Sequence, residues 1–153
     1  MDSGNAYVKT LLLAAGQRDG LQKGQPVVAE KGVVGRLINV GKNTSRILLI
    51  TDINARMPVI IEGKDVRAIM TGDNSSNPVL RHLPADIELN DGDKVIASGH
   101  GDVFHYGMPI GTVMRKDSGA WVVKPYMNAN DVTFVRVITS SSDNRLISED
   151  NTF

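Results

Sequence analysis

Two of the chain's three histidines stand in one short stretch, residues 98–111, SGHGDVFHYGMPIG, with an aspartate between them and a serine ahead. His100, Asp102 and His105 are ligand-type residues, because a borderline metal such as zinc accepts imidazole and carboxylate together. A structural zinc site normally shows four recognisable ligands, and only His82 remains to supply another from a distance. Gly99 and Gly101 also favour a loop over the strand that would set His100 and Asp102 on one face. The stretch therefore reads as a glycine-built turn, and neither a metal nor a cofactor is expected.

Nucleophilic chemistry is the second possibility these residue types raise. The order His82, then Asp93 or Asp102, then a serine is the order of a chymotrypsin-like triad. The spacing is wrong for it: the histidine belongs in the first of two barrels with the nucleophile far downstream, whereas Ser98 follows His82 closely. A hydrolase centred on Ser98 with His82 or His100 is the competing class, but no full set of catalytic roles can be assembled. The expectation is a protein that is not an enzyme and has no catalytic residues.

Composition removes further classes. The 153 residues carry 17 basic and 17 acidic side chains, so the basic footprint of a nucleic-acid binder is missing. Zero cysteines exclude disulfides, thiolate zinc sites and a cysteine nucleophile. The longest apolar runs, such as residues 11–15 and 47–50, fall far short of the roughly 20 residues of a membrane helix. The polar opening carries no signal peptide. The chain is expected to be the soluble piece of a longer protein, with no membrane insertion of its own.

Other polar and aromatic residues read as structural. Arg46 and Asp52 flank the run ILLI, with Arg56 following, and a solvated strand end or a salt bridge is the expectation, a partner contact the alternative. Phe104, Tyr106, Trp121 and Tyr126 are too few to form a base-stacking or carbohydrate platform. Two of them, Phe104 and Tyr106, share a glycine-rich turn, and this pair is the expected partner-binding surface.

Helical periodicity is nearly absent. Short β-branched runs recur along the chain, from Val27 and Val28 to the run 132–138, separated by Gly, Asn and Asp breakers such as EKG, GKN and NDGD. Short strands at this spacing argue for antiparallel barrels or sandwiches. Gly32, Gly35, Gly107 and Gly111 are candidates for turns and bulges. An internal repeat sharpens the picture: LQKGQPVVA at 21–29 aligns without a gap with LNDGDKVIA at 89–97, Leu, Gly, Val and Ala coinciding. Each copy leads to a glycine followed by a further strand, GRL at 35–37 and GTV at 111–113. The expected fold is all-β, two small related antiparallel β-barrels in tandem. The divisions are a linker at 1–6, a first barrel at 7–71, a second at 72–138, and a polar, disordered tail at 139–153, with Gly72 to Ser76 as candidate linker and one strand free to cross.

The segments GVVGR (32–36), NTSRILLITD (43–52) and ARMPV (55–59) resemble the soluble region of the rod shape-determining MreC family. The later run from Gly92 through Ser98, Gly99, Phe104, Gly107, Pro109 and Gly111 is similar to that family's second glycine-rich signature. The likeness covers about residues 8–137. It departs at Asp102 and His105, where the family usually has glycine and proline, so the metal-like residues fall on variable positions.

The resemblance implies a bitopic inner-membrane protein with a coiled coil and a periplasmic pair of β-barrels, of which this chain is the last part. It implies a non-catalytic scaffold of cell-wall elongation at the periplasmic face of the inner membrane. The implied partners are a second copy of itself, as homodimer or filament, the elongation-specific class B penicillin-binding protein, and MreD, RodA and MreB.

Overall fold

The computed structural model describes residues 9–100, 103–139 and 146–147. The β-branched runs become twelve strands: β1 Thr10–Leu13, β2 Pro26–Val28, β3 Val33–Val40, β4 Ser45–Leu49, β5 Arg56–Ile61, β6 Val66–Thr71, β7 Val79–Arg81, β8 Lys94–Ala97, β9 Pro109–Arg115, β10 Trp121–Pro125, β11 Arg136–Ile138 and β12 Leu146–Ile147. Two single-turn 3-10 segments, Gln17–Asp19 and Ala129–Asp131, are the helical elements among the described residues. The fold is all-β, as the turn spacing predicts.

The strands form two groups. One is a six-stranded sheet ordered β1-β4-β3-β2-β11-β12, and the other is a closed barrel ordered β10-β7-β6-β5-β8-β9. Every pairing is antiparallel. The first module is thus a sheet whose outer strands are β1 and β12, while the second closes into the expected barrel.

The expected division at residue 71 does not follow the hydrogen bonding. The β5–β6 hairpin lies before that boundary yet belongs to the second barrel, where β5 pairs with β8 and β6 with β7. Conversely, β11 lies within the expected second barrel yet pairs with β2 of the first sheet, and the pair 146–147 of the expected disordered tail pairs with β11. Gly72 to Ser76 does not separate modules either; it turns the chain from β6 to its neighbour β7. Apart from Thr139, the rest of that tail, and residues 1–8, lie outside the described residues.

Exchange of hairpins explains both departures. Strands β1 to β4 make one half and β7 to β10 the other, and each half is extended by the hairpin that follows its counterpart. Choice of hydrogen-bond partner leaves no local mark in the sequence, because both candidate neighbours are short β-branched strands.

The internal repeat is a structural equivalence. Leu21 and Leu89 are both buried, and Gly24 and Gly92 adopt left-handed φ of 95° and 94°. The Gly24 N–H donates to the Leu37 carbonyl at 2.7 Å, as Gly92 donates to Val113 at 2.8 Å. Val27 faces Gly35 and Val95 faces Gly111, and the ladder shifts by one residue immediately after each pair. Gly35 and Gly111 both lie where a Cβ would run into a carbonyl oxygen of the next strand, that of Leu48 or Lys124. Only glycine lets the strands approach there.

The equivalence continues beyond β4 and β10. The Asp52 side chain accepts the Asn54 backbone N–H at 2.7 Å, and the Asn128 side chain accepts that of Asn130 at 3.0 Å.

Two apolar clusters fill the modules. Leu13, Leu21, Val27, Leu37, Ile47, Val135 and Val137 fill the first, and Val59, Ile61, Met70, Val95, Ile110, Val113 and Val123 belong to the second. Val33 and Ile50, from the first half, join the second cluster, so residues of both halves meet there in a shared apolar junction.

Candidate functional site

Comparison of the two halves isolates the stretch that carries the histidines. Residues 21–29 match 89–97 at an offset of 68, and from Gly32 and Met108 onward the offset is 76, as the pairs facing Val27 and Val95 require. The short loop closes with the Ala29 N–H on the Gly32 carbonyl at 2.9 Å, and the long one with the Ala97 N–H on the Met108 carbonyl at 2.9 Å. The long loop is therefore eight residues longer than its counterpart, and it contains His100, Phe104, His105 and Tyr106.

The loop does not assemble a metal site among the described residues, where no group of three or more His, Cys, Asp or Glu side chains comes together. His100 is exposed and His105 half-buried, whereas His82 sits in an exposed turn after β7 with φ of 65°. Asp102 lies outside the described residues. Ser98 is buried, with its N–H on the Pro58 carbonyl at 3.1 Å and its hydroxyl accepting the His100 backbone N–H at 3.3 Å. The contact of that hydroxyl is thus with a main-chain amide.

What the loop does offer is a pair of aromatic rings with opposite fates. Phe104 is 7% exposed and packs in the second core cluster, so it is not itself available to a partner as the shared turn implied. It lines a small cavity with Leu48, Ile50, Ala55, Met57 and Met70, at the end of β4 and the start of β5. Burying a ring of this size contributes about 2 to 3 kcal/mol and ties the loop down. Tyr106 is 70% exposed, and its Cβ lies beside Gly99, whose φ of 84° shapes the turn. Of the expected interaction pair, Tyr106 is the ring that faces solvent.

Asp52 departs from its expected role as a solvated strand end or a member of a salt bridge. It is fully buried, and its carboxylate accepts the backbone N–H groups of Asn54 and Lys9. The Arg46 guanidinium instead reaches the Thr10 hydroxyl at 3.3 Å. Buried carboxylates need such donors, and the signal that could have identified it was the Asp-x-Asn turn pattern. Trp121 is also engaged, with the Arg115 guanidinium 5.0 Å from its ring centre.

A second surface feature escaped the reading of the sequence. A groove of about 530 Å³ opens where the short loop residues Glu30 and Lys31 meet residues 124–131, with Tyr126 on its wall. Lys9, Lys124 and Asp131 give it charges of both signs.

Duplicated antiparallel halves, joined by exchanged hairpins and a shared apolar junction, define a paired β-module. Sequence relatives give it a family. The description "Rod shape-determining protein MreC, barrel core" matches residues 1–139, and the chain belongs to this family. The cell shape-determining protein MreC of Caulobacter vibrioides is 38% identical over 137 residues, covering 90% of this chain and 40% of that protein. The Cereibacter sphaeroides protein of the same name is 36% identical over 139 residues, 91% of this chain and 46% of its own length. The chain thus spans less than half the length of these curated relatives. The crystal structure of MreC from Pseudomonas aeruginosa superposes with a TM-score of 0.80 at 29% identity, covering 90% of this chain and 93% of that one.

Proposed function

We propose that this chain is the non-catalytic periplasmic interaction core of a cell-shape scaffold, one that associates with itself and binds the elongation-specific class B penicillin-binding protein. Membership of the MreC family carries the reading. Two fold relatives supply its particulars: one is described as the major periplasmic domain of the cell shape-determining filament MreC, the other as a complex between a penicillin-binding protein, PBP2, and MreC from Helicobacter pylori. The site chemistry agrees, since the loop richest in reactive residue types engages its serine with backbone and anchors itself through a phenylalanine.

In this reading the full-length protein works beside MreD, RodA and MreB at the inner membrane. No helix among the described residues is long and apolar enough to cross a membrane. The exposed ring of Tyr106 is the part of the long loop that a partner meets. Neither cofactor nor catalytic step is assigned to these modules.

Titration calorimetry of this chain against the purified periplasmic domain of the transpeptidase tests the partner, with sedimentation equilibrium of the chain alone as the second measurement. Saturable heat is expected. Absence of binding between two folded proteins would contradict the transpeptidase assignment.

A further inference from the structure

We infer that the groove beside Tyr126 is the seat for Tyr106 of a second copy of this chain, so that copies join head to tail through the long loop. The inference rests on the self-association reading and adds the contact that would produce it. Its basis is the duplication. The cavity that Phe104 lines is walled by Leu48, Ile50 and Ala55 of the first half. The equivalent positions of the second half, 76 residues on, are Lys124, Tyr126 and Asp131, and all three line the groove. Each seat also faces the loop that follows the other half's first repeat strand: the loop after β8 supplies Phe104 to one, and the loop after β2 supplies only Glu30 and Lys31 to the other.

The cavity that Phe104 lines measures about 10 Å³, and the groove, which Lys9, Leu49, Thr51, Ser76 and Asn77 also line, about 530 Å³. The loop after β2 is eight residues shorter and has no aromatic side chain to close it.

Tyr106 has the chemistry the open seat calls for. It is the exposed aromatic of the inserted loop, two residues from the ring that fills the counterpart seat. Its ring suits the face of Tyr126, and its hydroxyl suits a rim carrying Lys124, Asn130 and Asp131. Phe104 holds the loop on the other seat, and Tyr106 is not among the residues lining its own chain's groove. The contact is therefore between unlike surfaces, and repetition of such a contact gives an open filament unless its rotation closes a ring.

The test uses the whole chain, which has no native cysteine. Sedimentation equilibrium compares the wild type with Tyr106→Ala, and the singly substituted Tyr106→Cys and Asn130→Cys proteins are mixed under mild oxidation. The expected results are self-association weakened at least about tenfold by Tyr106→Ala, the range of an interfacial aromatic anchor, and a mixed disulfide dimer exceeding either homodimer. An unchanged unfolding midpoint for Tyr106→Ala excludes loss of fold as the cause. Self-association that survives Tyr106→Ala, with no excess of mixed disulfide, would overturn this contact and leave self-association standing. A wild type that stays monomeric throughout would overturn both.

Discussion

Substituting Phe104 and Tyr106 one at a time separates anchoring from recognition. Phe104→Ala empties a nearly filled seat in the shared core and is expected to cost about 3 kcal/mol in urea unfolding, whereas Tyr106→Ala changes stability by no more than about 0.5 kcal/mol. Equal effects would contradict the assignment of one ring to the core and the other to solvent. Asp52→Ala is expected to cost about 2 kcal/mol in the same measurement, since it strands the N–H groups of Asn54 and Lys9 around a buried position. The composition of the aromatic pair was legible in the sequence, but its burial was not. The ring that turns inward is decided by the first-half strands that wall its seat, more than fifty residues away for Ile50 and Leu48.

The turn between β6 and β7 makes a pH-dependent contribution. Desolvation pulls the Asp73 carboxyl upward, but the Ser75 hydroxyl and backbone N–H, with the charge of Lys116, outweigh it and leave the pKa below the ordinary carboxylate value. A carboxylate lowered on folding adds stability above its unfolded pKa and loses it as pH falls through the folded one. The stability difference between wild type and Asp73→Asn should therefore narrow as pH is lowered below about 4, the ordinary aspartate range; a difference independent of pH would contradict the role. At β3 and β9, Gly35→Ala and Gly111→Ala should each cost about 2 kcal/mol or more, because a methyl group there forces paired strands apart. Strands and the 21–29 repeat could be read from β-branched runs and glycines. The length difference between the loops was also present in the spacing of Gly35 and Gly111, but its meaning required the matched hydrogen bonds on either side.

Hairpin exchange makes the molecule one cooperative unit. Each half lends two strands to the other, and Val33 and Ile50 cross into the barrel core, so neither module is complete without distant sequence. Calorimetric unfolding should show a single transition, and residues 1–71 and 72–153 made as separate polypeptides should fold only when mixed. Two well-separated transitions would contradict the exchange. The sequence concealed this connectivity because a strand placed in either sheet keeps the same alternation of buried and exposed residues. At the same scale the family assignment makes its strongest demand, that these modules sustain shape inside a complete protein. The most direct measurement replaces the matching 137-residue region of the Caulobacter vibrioides protein with that of this chain and records cell length and width after depletion of the native copy. Rod-shaped cells of normal width are predicted. Rounded cells despite normal levels of the folded chimera would contradict the scaffold function.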